Sequence, residues 1–189
     1  KTIGITVLAR TLDEADETVT MTLSSASNAT ISDATGTFTI TDDESAPTVT
    51  LATSASSISE NSGSSLTLTA TLSGATDANI TVALDTSGTG TEGTDYTDGS
   101  GNIDNITISA GATTGTVLFT PTDDSTYEGN ETATISINGV TGKTGVAENS
   151  TPQAVTITIT ENESTPQVTF SVSSGGAAEN GGTATLTAT

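Results

Sequence analysis

Phe38-Thr-Ile-Thr-Asp-Asp-Glu-Ser-Ala-Pro-Thr-Val-Thr-Leu51 returns 119 residues later as Ile157-Thr-Ile-Thr-Glu-Asn-Glu-Ser-Thr-Pro-Gln-Val-Thr-Phe170. Each copy runs from an alternating pattern, through an acidic joint ending in Pro, into a second alternating pattern. Thr occupies one side and Phe, Ile, Val or Leu the other, which is the period-two signature of a half-buried strand. The echo continues outward: Ser59-Glu60-Asn61 matches Ala178-Glu179-Asn180, and Thr67-Leu-Thr-Ala-Thr71 matches Thr185-Leu-Thr-Ala-Thr189. A period of this length is too large for a solenoid turn and about the size of one domain. The expected organisation is therefore the rear half of one repeat at 1–44, a complete repeat at 45–163, and the first strands of a third at 164–189. A chain that starts and stops inside repeats reads as a window on a longer protein.

Outward from that stretch the alternation persists. The central unit carries seven runs: Val49/Leu51, Leu66/Leu68/Ala70/Leu72, Ile80/Val82/Leu84, Ile106/Ile108, Val117/Phe119, Ala133/Ile135/Ile137 and Val155/Ile157/Ile159. Turn-formers such as Asn61-Ser-Gly63, Ser73-Gly74, Asp98-Gly99 and Glu128-Gly129-Asn130 separate them. No segment has an apolar stripe of helical period. Seven short strands with one dry face each predict an all-β, two-sheet antiparallel sandwich of immunoglobulin-like type. The first unit is expected to contribute strands at Ile3–Val7, Thr18–Leu23 and Gly36–Thr41, and the third at Gln167–Val172 and Thr183–Thr189. Pro47 and Pro166 stiffen the short joints, which implies a defined geometry between units.

The 23 acids against three cations, Lys1, Arg10 and Lys143, give a formal net charge of −20. Nucleic acid and anionic membranes would be repelled by such a chain. It has no Cys and no His, which excludes disulfide scaffolds and Cys- or His-ligated zinc. No apolar run reaches membrane-spanning length, so no membrane insertion is expected in this segment.

The acids are clustered. The joints carry Asp42, Asp43 and Glu44, then Glu161 and Glu163 around Asn162. Asp123, Asp124, Glu128 and Glu131 precede the sixth strand of the central unit. Their counterpart in the first unit is Arg10-Thr-Leu-Asp-Glu-Ala-Asp-Glu17, which includes Glu14 and Glu17. Glu60 follows the first strand, and Asp85 and Asp95 flank a Gly-rich segment at 86–94. In a sandwich, alternate loops meet at one end, so these acids should converge beside the joint. Two carboxylates at about 4 Å repel by about 4 kcal/mol at an effective dielectric near 20. Such a cluster persists if it is protonated or bridged by cations, and oxygen-only donors select a hard ion, Ca2+ before Mg2+. Any single acid is more simply a solvated loop residue or a guard on a strand edge.

Ile58-Ser-Glu-Asn61, Gly93-Thr-Asp-Tyr96, Thr122-Asp-Asp followed by Glu128-Gly-Asn-Glu131, and Ile159-Thr-Glu-Asn-Glu163 together resemble the Calx-beta family. That family is known from sodium–calcium exchangers, an integrin and large bacterial surface proteins. The resemblance implies a seven-stranded sandwich with Ca2+ held at the end that leads to the next domain. It implicates Glu60, Asp123, Asp124, Glu128, Glu131, Glu161 and Glu163 as ligands. Glu14, Glu17, Asp42, Asp43 and Glu44 form the corresponding set in the first unit. Ser87 stands where the family places an Asp, Asn162 interrupts the terminal acids, and Arg10 falls where Asp124 lies. These departures imply fewer or weaker ions, and a site in the first unit with a cation of its own.

Other motifs carry less. The Gly-rich segment leads to no helix or Lys, so it is no phosphate loop. Tyr96 and Tyr127 are expected to anchor their loops against the sandwich end. Lys143 reads as a solvated loop residue. The Asn-x-Ser/Thr sequons follow from the abundance of Thr. Carboxylates are the only catalytic groups present, without the aromatic-lined cleft that glycosidases use, so no enzymatic activity is expected. The expected function is a Ca2+-stiffened extracellular or cell-surface spacer whose partners are neighbouring repeats of the same chain, as in an adhesin. Two alternatives are a glycan- or protein-binding adhesive module, with its cell-surface or matrix ligand left open, and a Ca2+-sensing regulatory module.

Overall fold

The computed structural model describes residues 2–103, 105–150, 153–173 and 175–189; Lys1, counted above among the cations, lies outside them. In chain order the strands are β1 (Leu12–Asp13), β2 (Glu17–Thr22), β3 (Thr35–Ile40), β4 (Thr48–Thr53), β5 (Ser57–Ser59), β6 (Leu66–Leu72), β7 (Ala75–Thr76) and β8 (Ile80–Gly88). They continue as β9 (Tyr96–Thr97), β10 (Ile106–Ile108), β11 (Thr114–Pro121), β12 (Glu131–Thr141), β13 (Ala147–Glu148), β14 (Ala154–Thr160), β15 (Phe170–Val172) and β16 (Leu186–Ala188). A single 3-10 turn at Glu60–Ser62 is the only helical element among the described residues. No helix there is long and apolar enough to cross a membrane.

Two five-stranded sheets form the central domain, ordered β10-β8-β12-β14-β5 and β13-β4-β6-β11-β9. All seven alternating runs are strands, and their apolar residues form one core. Val49, Leu68, Ala70, Ile80, Val82, Ile106, Ile108, Phe119, Ala133, Ile135 and Ile157 are fully buried, with Leu84, Val117 and Val155 packed at the margin. Burying each large side chain contributes about 1.5–3 kcal/mol, which lets a chain with few aromatics hold a thin sandwich. Phe119 stacks on Tyr96 with ring centroids 4.8 Å apart and closes one end. Thr lines the wet faces, where hydroxyls pair across strands, as between Thr134 and Thr156 at 3.0 Å.

The pairing is not purely antiparallel. The first strand divides between the sheets: β4 runs antiparallel to β6, and the chain then crosses so that β5 lies parallel to β14. At the other edge β13 lies parallel to β4. These two- and three-residue strands cover edges that would otherwise expose unpaired backbone groups.

The flanking segments pair in the register of their central counterparts. In β2 and β3, Glu17 faces Ile40 and Val19 faces Phe38; in β12 and β14, Glu131 faces Ile159 and Ala133 faces Ile157. In β15 and β16, Phe170 faces Ala188, just as Leu51 faces Ala70 in the central domain. The expected strand at Ile3–Val7 does not form, and the last two are shorter than expected. Ile3, Ile5 and Val7 are exposed, and a strand requires a lateral partner for its backbone groups that these residues lack.

Candidate metal centre

The acids before β12, after β14 and after β5, with one from the loop after β8, gather at one end of the sandwich. Glu60 sits in the 3-10 turn after β5, Glu161 and Glu163 follow β14, and each offers an oxygen within 4.8 Å of the others. Asp95, Glu128 and Glu131 form a second group with the same spacing. Asp124 lies close enough to act on both Glu60 and Glu128.

Glu161 organises this end. Its Oε2 accepts the backbone N–H groups of Glu128 and Gly129 at 2.6 and 2.8 Å. Its Oε1 accepts those of Asn162 and Glu163 at 2.9 and 3.0 Å. Four donors fill the lone-pair positions of one carboxylate. Hydrogen bonds from the Glu163 and Glu128 backbone hold its pKa down at about 2. The Glu161 N–H in turn donates to Asn130 Oδ1 at 3.0 Å. Glu161 thus knits the joint to the loop before β12 and contributes charge to the cluster, its oxygens being engaged by backbone.

Glu163 is the opposite case. The adjacent Glu161 carboxylate, followed by desolvation and the charge of Glu60, pushes its pKa up to about 7. Its Oε2 is buried without a hydrogen-bond partner. Glu60 is raised by desolvation and by Glu161. Glu131 is raised by burial and then by Asp95 and Glu128, and Glu128 by desolvation and then Asp95, Asp124 and Glu161. The two groups are therefore one electrostatic unit in which carboxylates crowd with no cation among the described residues to pair them.

The Gly-rich segment brings Asp95 to this place. Gly88 has φ +130°, and a Cβ there would meet the Thr132 carbonyl oxygen at 2.1 Å, so the loop lies directly against β12. Gly90 donates to the same carbonyl at 3.0 Å. Beyond it Asp95 Oδ2 accepts the Thr91 N–H at 2.6 Å. Asp95 is one of the acids expected to converge beside the joint but stands outside the ligand set that the resemblance implies; the fold-back of the loop sets it beside Glu128 and Glu131.

Other acids lie elsewhere. Asp123 is exposed and belongs to neither group. Among the described residues, Glu14, Glu17, Asp42, Asp43 and Glu44 make no comparable triple. Asp42 ties its joint to the loop before β2, accepting from Glu14 N and donating its N–H to Asp16. Desolvation and then Asp43 and Asp42 raise Glu44. Arg10 sits 3.4 Å from Glu14, so this end carries a guanidinium where the central one carries Asp124. Two expectations about loops fail. Tyr96 is buried, but Tyr127 is 41% exposed, because its loop is tied down through backbone bonds to Glu161 and not through the ring. Lys143 is not solvated: its side chain is 15% exposed and paired with two acids.

A strand-rich sandwich with oxygen donors clustered at one end defines a β-sandwich module with a candidate hard-cation centre. The Calx-beta domain model matches residues 42–163, well over half of the sequence, and the chain belongs to the Calx-beta domain family. Among solved structures it is similar to the crystal structure of the apo form of the Calx CBD1 domain. The identity is 18%, the match covers 63% of this chain and 98% of that one, and the TM-score is 0.47. Comparison with curated proteins returned no match.

Proposed function

We propose that this chain is a Ca2+-binding structural module that acts, in tandem with copies of itself, as a stiff spacer of an extracellular or cell-surface protein. The observation that carries the metal is Glu163, whose buried, unpartnered oxygen lies beside two more carboxylates and a second acidic group. Glu60, Glu163, Asp95, Glu128 and Glu131 would hold the ion or ions, with Glu161 positioning the loop that bears Glu128 and leads into Glu131. An all-oxygen donor set fits Ca2+, which takes about 6–8 oxygens, and extracellular modules bind it at about 10⁻⁴–10⁻³ M. The ion would supply charge neutralisation: it offsets the repulsion that raises Glu163 and Glu131 and fastens the joint to the loop before β12. No substrate conversion is proposed.

Tandem use is supported by the recurrence of the strand pairings in the same register on both sides of the central domain. A spacer accounts for acids concentrated where one unit meets the next. Calorimetric titration of the chain with Ca2+, alongside small-angle scattering with and without EGTA, tests the reading. Binding with a lengthened, better-defined particle is expected. Identical scattering and melting temperature after chelation would rule out a metal-stiffened rod.

A further inference from the structure

The central domain contacts the preceding segment beside the loop after β12, away from the acidic end. Here β1 pairs parallel to β7, with Leu12 facing Ala75 and Asp13 facing Thr76. The Asp77 N–H donates to the Asp13 carbonyl at 3.1 Å. Lys143, in the loop between β12 and β13, reaches over both: its Nζ donates to the Asp13 carbonyl at 2.8 Å and to Asp77 Oδ1 at 2.7 Å. It also lies 3.6 Å from Asp13 Oδ2. That oxygen is buried without a hydrogen bond, and Asp13 as a whole is only 7% exposed. Two of the three N–H groups of the ammonium are thus hydrogen-bonded, and the buried Asp13 carboxylate oxygen lies alongside as an ion-pair partner.

We propose that the face made by Ala75–Asp77 and Lys143 is a docking site for an extended, acid-bearing segment of the preceding unit, latched by the lysine cation without divalent metal. Its occupant is Leu12–Asp13. The proposal rests on the tandem reading only in assigning that segment to a preceding unit; the contact itself involves none of the candidate metal ligands of the central domain. An exposed ion pair would contribute little. This one is different in kind, because removing Lys143 leaves the Asp13 charge buried and uncompensated, which strongly favours release of the segment. Burial works to lower the pKa of Lys143, but Asp77 and Asp13 outweigh it and hold the ammonium above its ordinary value. By the matched registers, the central counterpart of Leu12-Asp13 is Thr126-Tyr127, which has no carboxylate, so this form of latch belongs to the first joint.

Hydrogen exchange of the Asp77 amide reads the latch directly, and the Leu72 amide, bonded to the Thr113 carbonyl at 2.8 Å, reports whether the sandwich stays folded. Measurements on the full chain in EGTA and in Ca2+ compare the native protein with Lys143→Met and Lys143→Arg. The expected result is exchange at Asp77 at least about tenfold faster in K143M, retained protection in K143R, an unchanged Leu72, and no effect of EGTA on native Asp77. Equal Asp77 rates in K143M and native protein would overturn the latch, as would an unprotected native Asp77. Loss of native Asp77 protection in EGTA would show that divalent ions hold this joint and would also overturn it. An absence of any Ca2+ effect elsewhere in the chain would sink the metal reading and leave the latch standing.

Discussion

If Glu163 is a Ca2+ ligand, proton and ion compete for it, and the competition has a calculable size. The neighbouring Glu161 and Glu60 carboxylates hold Glu163 at a pKa of about 7. The apparent Kd scales as one plus the ratio of proton concentration to the acid constant. From pH 8 to pH 6 that factor grows about tenfold for a pKa near 7, against about 3 per cent for an ordinary carboxylate. Binding at pH 7 should release about half a proton per ion from this group. Isothermal titration of Ca2+ at pH 6, 7 and 8, in buffers of different ionisation enthalpy, measures both quantities. Glu163→Gln should bind more weakly at pH 8 and lose most of the pH dependence over this range. A native Kd that is the same at pH 6 and pH 8 would refute the placement of Glu163 among the ligands.

Stability without metal should also depend on pH, in two directions. Glu163 has a folded pKa raised above 4.5 to about 7, so its contribution is complete below about 4.5 and is lost as pH rises through about 7. Glu161 is lowered to about 2, so its contribution is present above about 4.5 and is lost as pH falls through about 2. Metal-free protein should therefore melt highest at about pH 4–5 by circular dichroism and lower at pH 2 and pH 8, with Ca2+ restoring the loss at pH 8. Phe119→Ala removes a fully buried ring stacked on Tyr96 and should cost about 3–5 kcal/mol in urea unfolding. Gly88→Ala forces a Cβ onto the Thr132 carbonyl at φ +130°. It should destabilise by at least about 2 kcal/mol and weaken Ca2+ binding, because the displaced loop carries Asp95.

Much of the fold is legible in local pattern. Alternation in Leu66–Leu72 or Ala133–Ile137 states both that a strand forms and which face is dry, because successive side chains point to opposite sides. The repeated stretch even anticipates matching registers. The candidate centre is legible in part: Glu60, Glu163, Glu128 and Glu131 come together as their placement around the joint suggests. The role of Glu161 as a backbone anchor is not legible, since four N–H groups from two loops meet on it. Asp123 could not be told from Asp124 by type, and only loop geometry separates them.

The sequence by itself determined the seven alternating strands of the central domain, their buried faces, the internal repetition and the all-oxygen character of any metal site, because these depend on residue type and spacing along one segment. Tertiary structure alone decided which polar groups meet. Ile3–Val7 alternates as well as any strand, yet it stays irregular without a neighbour to receive its backbone hydrogen bonds. Lys143 and Asp13 are separated by 130 residues, and no local pattern records that a lone lysine will cover a buried carboxylate. Strand character is set within a segment, whereas charge pairing and backbone capture are set by what folding brings alongside it.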